Sequence, residues 1–350
     1  MTLDHRVDAV EWERWGTDCL GAQNFDPEDA RCLASSLAQT SLWGIDSHGI
    51  ARLPHYLNRV AHGSILARPV IEIQRTGPGT AQLHGGRGQG IVVAHRANAL
   101  AIDLAREAGV AAVGVSNSSH CGAIGLYSRA AAKRGLIGIA FTHSDSIAAP
   151  HGGYQPFFGT NPISLAFPRA GAEPLCLDMA TTAIPWNRVM NARRDGVALP
   201  DGVALDAEGQ NSTDAYQVRA LRPLGGEDYG YKGYGLATMI ELLCGPLNGN
   251  PFGPHISPMY EALERPRELG AFFIVIDPAR FAGGAALAGV VAGMAMELSQ
   301  APGAPRMPGD PEAAALAERQ RDGIPVPAAL WDEIIAWSTR LGVAPPVCRP

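Results

Sequence analysis

The chain has 350 residues, 46% apolar and 18% charged, with 41 glycines and 27 prolines. That balance suits one large core or two moderate ones and excludes a disordered or coiled-coil chain. A formal net charge of −6 argues against partners held through a phosphate backbone, which need clustered Lys and Arg, so no nucleic acid is expected.

The opening stretch MTLDHRVDAVEWERW is charged and amphipathic and does not resemble a signal peptide. A helix is predicted over Val7 to Ala22. Asp26-Pro27-Glu28-Asp29 then offers a helix start, with an N-cap Asp, Pro at the first helical position and acids in the first turn, followed by a helix from Ala30 to Leu42. Val70 to Ile73 and Thr80 to Leu83 read as strands divided by the Thr76-Gly77-Pro78-Gly79 turn. Apolar spacing predicts a helix from Gly90, stopped by Gly109. Val110 to Val115 is a strand, Ala123 to Arg134 a helix closed by Gly135, and Leu136 to Thr142 a strand. Strand, loop, helix and strand within about 30 residues match a nucleotide-binding unit in size. Further strands are predicted at Ile163 to Phe167 and Leu175 to Met179. Pro185 to Gln210 reads as an extended excursion rich in turns. Gly233 to Cys244 is a helix, Phe272 to Ile276 a buried strand, Ala282 to Ser299 an Ala-rich helix, and Pro311 to Leu341 helical with interruptions at Pro325 and Pro327.

The apolar stretch Gly283 to Met296 is too short to span a bilayer, so no membrane partner is expected. Six cysteines lie far apart without a CxxC pair, which points to free thiols in a reducing compartment and a cytoplasmic protein. Histidine spacings match neither HxxxH nor HExxH, so no metal site is expected. Gly85-Gly86-Arg87-Gly88-Gln89-Gly90 lacks the GxGxxG intervals, so a dinucleotide would bind without that fingerprint.

Several segments can carry chemistry. If Ser47 to Tyr56 is helical, His48, Arg52 and Tyr56 share one face, setting a proton-transfer imidazole beside a guanidinium able to grip a carboxylate; otherwise the segment is a capped helix with surface polar groups, and Pro54 complicates the helix. Ser116 to Ala123 joins a strand to a helix and would leave backbone N–H groups free for an anion such as pyrophosphate. His120 there faces a nicotinamide or caps the helix, and Cys121 beside it raises a thiol mechanism. Asp178, at a strand end, could orient a histidine, contact a ribose or cap a helix. The chain has two lysines, Lys133 and Lys232, and the latter lies among glycines, where a compact ammonium suits a phosphate or ribose contact.

Taken together these segments resemble the type-2 malate/L-lactate dehydrogenase family. The resemblance is carried by Ser47-His48-Gly49 with Arg52 and Tyr56, then Gly114 to Tyr127, Gly135 to Ile139, Gly159-Thr160-Asn161-Pro162, Leu177 to Thr181 and Tyr231-Lys232-Gly233-Tyr234-Gly235, in the family's order. Ser144-Asp145, the Pro150-His151-Gly152-Gly153 loop, Pro251-Phe252-Gly253 and Met259-Tyr260 are most similar to the ureidoglycolate dehydrogenase branch.

The resemblance implies a dimeric α/β enzyme with a family-specific, non-Rossmann NAD(P)-binding domain holding a mixed sheet (73–228). A helical domain is built from both chain ends (1–72 and 229–350), the second part lending one strand at about 271–277 to the sheet. It implies hydride transfer between NAD or NADP and C2 of a small 2-hydroxy or 2-oxo acid such as malate, lactate or ureidoglycolate. A cyclic imino acid is the alternative substrate and a cofactor-free Cys/His hydrolase the remote one. His48 would donate or accept the proton with Ser47 beside it, and His120, by the nicotinamide, is the base in some members; Asp178 completes the catalytic set. Arg52, Tyr56 and Thr160 would face the substrate carboxylate. Gly122, Ser144, Asp178, Met179, Ala180, Lys232 and Gly233 would join His120 around the cofactor. Two departures stand out: Cys121 replaces a common aromatic residue, and Pro185-Trp186-Asn187-Arg188 replaces a segment that often carries Gly-Lys.

Overall fold

The computed structural model describes residues 5–349; Met1 to Asp4, at the start of the amphipathic N-terminus, and Pro350 lie outside them. The sheet is mixed and seven-stranded, in the order β2 (Glu72–Gly77), β3 (Thr80–His84), β4 (Val110–Ser118), β10 (Leu269–Ile276), β5 (Ile137–Thr142), β6 (Ile163–Phe167) and β7 (Leu175–Met179). Only the β3–β4 pair is parallel.

β10 reads as a near-continuous apolar run because it lies in the middle of the sheet with both faces covered. Ala271, Phe273 and Val275 enter a core with α4 (Gly90–Ala108) and α5 (Gly125–Ala132), while Phe272 and Ile274 pack on the other side against Ile240 and Cys244 of α7 (Gly226–Cys244). Both ends of α4 follow the local rules. Gln89 Oε1 accepts from Ile91 N at 2.7 Å at the start, and Gly109 ends the helix at φ 88°.

A second core joins the two ends of the chain. β1 (His5–Val7) pairs antiparallel with β11 (Ile324–Val326), and Trp12 and Trp15 of α1 (Ala9–Ala22) pack with Leu33 and Leu37 of α2 (Pro27–Leu42) and Ile334 and Trp337 of α10 (Ala328–Leu341). Asp26 caps α2 through its carboxylate, which accepts from Glu28 N at 3.0 Å.

β2 runs over Glu72–Gly77, two residues later than expected and into the expected turn, and three helices also depart from expectation. Val7 belongs to β1, since its backbone is taken up by the β11 ladder before α1 begins at Ala9. The excursion after Pro185 contains a helix, α6 (Trp186–Asp195), which buries Val189 and Ala192 in a small core with Leu199, Val218 and Leu221. Only two buried positions in ten residues give α6 too weak a pattern to read. α7 starts at Gly226, seven residues earlier than expected, because its glycine-rich first turns lean on Pro223 and Leu224 and need no apolar stripe. Among the described residues no helix is long and apolar enough to cross a membrane.

Candidate active site

Gly49 shapes the segment that carries His48 and Arg52. A Cβ there would lie 2.1 Å from Ser41 Oγ, which instead accepts from Ile50 N at 3.0 Å. The chain therefore passes through two 3-10 turns, Asp46–His48 and Ile50–Arg52, before entering α3 (Leu53–Ala61). The single helix that would align His48, Arg52 and Tyr56 does not form; Pro54 starts α3 where its missing N–H is harmless.

The same side chains nevertheless share one neighbourhood. Ser47 Oγ lies 2.8 Å from His48 Nδ1, and the His48 and His120 rings stack at 5.5 Å between centroids. Tyr56 is buried, and its hydroxyl meets His120 Nδ1 at 2.7 Å. Gly122 N donates to the same Nδ1 at 3.3 Å. A backbone N–H can only donate, so Nδ1 is the acceptor and neutral His120 carries its proton on Nε2. Arg52 is 9% exposed. Its Nε donates to Ser47 O at 2.6 Å, one terminal nitrogen donates to the Tyr260 hydroxyl, and the other to Asn187 Oδ1 at 3.4 Å.

Electrostatics keep both imidazoles neutral. Burial, reinforced by Arg52, lowers the His48 pKa to about 3. Burial, then His48 and Arg52, takes His120 well below its ordinary value. Cys121 is a poor nucleophile, since burial pushes its thiol up to about 11. The hydrolase alternative loses its reactive group.

A second set of expected residues forms a continuous run. Thr160 N donates to Ser144 Oγ at 3.4 Å, and Thr160 O accepts from Thr181 N at 2.9 Å, just after Met179 and Ala180. Thr181 O accepts from Leu224 N at 2.8 Å, and Leu224 O accepts from Gly233 N, next to Lys232. A Cβ at Gly233 would sit 2.4 Å from Leu224 N, so glycine lets α7 approach this closely. Lys232 is exposed beside the Tyr229 and Tyr231 rings.

Asp178, next to Met179, reaches the segment after His120: its Oδ2 accepts from Gly125 N at 2.8 Å. Burial, partly offset by this bond, raises the Asp178 carboxyl to about 6. At the start of α5 one amide, that of Gly125, thus already has a carboxylate. Thr160 lies in this second set and makes no hydrogen bond to the Arg52 cluster.

Known proteins similar to this chain give its family. The sequence model described as malate/L-lactate dehydrogenase matches residues 7–335. This chain belongs to the malate/L-lactate dehydrogenase family. Among its relatives, the ureidoglycolate dehydrogenase (NAD(+)) of Escherichia coli O157:H7 is 39% identical over 251 residues, 72% of this chain and 71% of that one. The malate dehydrogenase of Pyrococcus abyssi (strain GE5 / Orsay) is 36% identical over 327 residues, 90% and 89% of the two chains. The crystal structure of malate dehydrogenase from Entamoeba histolytica superposes with a TM-score of 0.92 at 29% identity, covering 98% of this chain and 99% of that one.

Within this family member, sequence reasoning missed a buried network that braces both sets. His143 Nε2 accepts from Gly270 N at 2.9 Å, so its proton lies on Nδ1, 3.1 Å from Glu241 Oε1. Glu241 also accepts from Gly253 N at 2.9 Å and from Asn161 Nδ2 at 2.7 Å. Burial opposes its ionisation, but these bonds outweigh that and hold the carboxyl below the ordinary range. The network ties β5, just before Ser144, to α7 and β10. A carboxylate inside the apolar run Ile240-Glu241-Leu242-Leu243 was the signal available. Asp145 pairs with the buried Arg267 and accepts from Met259 N at 3.2 Å, holding the loop that carries Tyr260. Among the described residues no three His, Cys, Asp or Glu side chains group as metal ligands.

Proposed function

We propose that this chain is an NAD(P)-dependent oxidoreductase acting at C2 of small 2-hydroxy or 2-oxo carboxylic acids of the malate, lactate or ureidoglycolate type. The observation that carries the reading is the state of Arg52. Its buried guanidinium is held by three neutral oxygens, from Ser47, Tyr260 and Asn187, and among the described residues no carboxylate pairs with it. A buried cation without a counter-ion is costly, and a substrate carboxylate relieves that cost through two parallel N–H···O bonds.

Once the acid is fixed, the oxygen on its C2 meets the imidazole pair. Neutral His48 is ready to accept the proton of a C2 hydroxyl. In the opposite direction it must deliver a proton, and a carboxylate bound to Arg52 offsets one of the two forces that depress its pKa. Ser47 engages Nδ1 and leaves Nε2 for this work. His120, held by Tyr56 and Gly122, offers its Nε2–H as a donor to the C2 oxygen. A bound nicotinamide supplies or takes up the hydride.

The residues fit such a cofactor. Lys232 has no carboxylate partner among the described residues and suits a phosphate. Asp178 commits Oδ2 to Gly125 and keeps Oδ1 for a ribose hydroxyl. Ser144, Met179, Ala180 and Gly233 flank both along the same hydrogen-bonded run. In this reading residues 73–228 are the cofactor domain and the two chain ends the helical domain. The protein is a cytoplasmic homodimer without nucleic-acid or membrane partners. Exposed apolar side chains support the dimer: Met239, Leu242, Leu247 and Phe252 in and after α7, and Val290, Met294 and Met296 on α8 (Gly284–Gln300).

The test is to follow nicotinamide absorbance with NADH and NADPH separately against 2-oxo acids, and with NAD and NADP against ureidoglycolate, with His48→Ala alongside. Turnover by the wild type that His48→Ala loses supports the reading. No turnover, and no shift in melting temperature with either cofactor, overturns it.

A further inference from the structure

Asn187 reaches Arg52 from an element that carries none of the proposed proton-transfer groups. It stands in the first turn of α6, whose Val189 and Ala192 are anchored in the small core of the excursion. A guanidinium has donors only, so the amide oxygen must be the atom facing Arg52, 3.4 Å away. The Nδ2 group is thereby turned away, and it makes no hydrogen bond among the described residues. Tyr260 repeats the arrangement: its oxygen accepts from Arg52, which leaves its own O–H proton to be given. The guanidinium is thus flanked on two sides by spare donors.

We infer that Asn187 is a specificity-determining residue: its Nδ2 donates to an acceptor oxygen at the far end of the substrate. It favours 2-oxo and 2-hydroxy acids that end in a carboxylate, sulfonate or amide carbonyl over those that end in a methyl group. Asn187 is half-buried in the free protein, and a site that hydrogen-bonds a substrate oxygen rejects an analogue without it, because a bound apolar end strips the donor of water and leaves it unpaired. The inference rests on Arg52 being the carboxylate clamp proposed above.

Steady-state kinetics with oxaloacetate and pyruvate as probes test it, comparing wild type, Asn187→Leu and Asn187→Asp. The wild type prefers oxaloacetate. Asn187→Leu lowers kcat/KM for oxaloacetate at least about tenfold, chiefly through KM, and changes that for pyruvate less than about threefold. Asn187→Asp sets a carboxylate against Arg52 and raises KM for both probes at least about tenfold. A proportional fall for both probes in Asn187→Leu, no fall for either, or a wild-type preference for pyruvate overturns the inference and leaves the proposed function standing. Absence of wild-type turnover with every 2-oxo acid overturns the function, and the inference with it.

Discussion

Tyr56 and His120, 64 residues apart in sequence, meet at 2.7 Å between the phenol oxygen and Nδ1. With Gly122 N bonded to the same nitrogen, this contact decides which ring nitrogen of His120 holds the proton. Tyr56→Phe keeps the buried ring and removes one of the two donors. The variant is expected to fold normally and to lose roughly three- to tenfold in kcat, the worth of one hydrogen bond. Nitrogen NMR of His120 checks the cause, since the wild type shows a protonated Nε2 and the variant a mixture of tautomers.

Glu241 accepts three hydrogen bonds inside the protein, from His143, Gly253 and Asn161. Glu241→Gln replaces one acceptor oxygen by a donor that faces donors. The expected cost is about 1–3 kcal/mol of stability, read as a lower denaturant midpoint at unchanged slope. KM for the cofactor is expected to rise as well, because the network abuts Ser144 and α7.

Burial lowers the pKa of His95 to about 4 and that of His55 to about 4, the latter also under Arg59. His48 is shifted in the same direction. These groups are neutral when folded, whereas in the unfolded chain they titrate near ~6.5. The unfolded state therefore binds more protons below that pH. The stability they contribute is full above about pH 6.5 and is lost as pH falls toward about 4. Melting temperature measured across this interval should decline steadily, and His95→Gln should decline less steeply than the wild type.

Much of the fold was legible because it follows local rules. Asp26-Pro27 starts α2, Gly109 ends α4, and β6 and β7 fall on the predicted residues. α6 was not legible, since its helix depends on a small core assembled from residues on both sides of it in the chain, Ala148 and Phe158 before it and Leu199, Val218 and Leu221 after it. In the candidate site, residue types could be read and their meeting could not. His48 and His120 are brought together by Gly49, by α3 and by the bend after β4. Asn187 and Tyr260 meet Arg52 across 135 and 208 residues, distances at which spacing carries no information. The bond between Asp178 of β7 and the Gly125 amide was hidden for the same reason.

Hydride transfer at C2 beside an Arg52-bound carboxylate can be followed isotopically. Wild-type enzyme is given NADH or NADPH deuterated on each face of C4 in turn, together with the 2-oxo acid it reduces fastest, and the product is examined by proton NMR. Deuterium is expected at C2 from one face of the cofactor, with Arg52→Ala slowed at least about a hundredfold. Product with only solvent hydrogen at C2 from either face, or an Arg52→Ala variant as fast as the wild type, would contradict it.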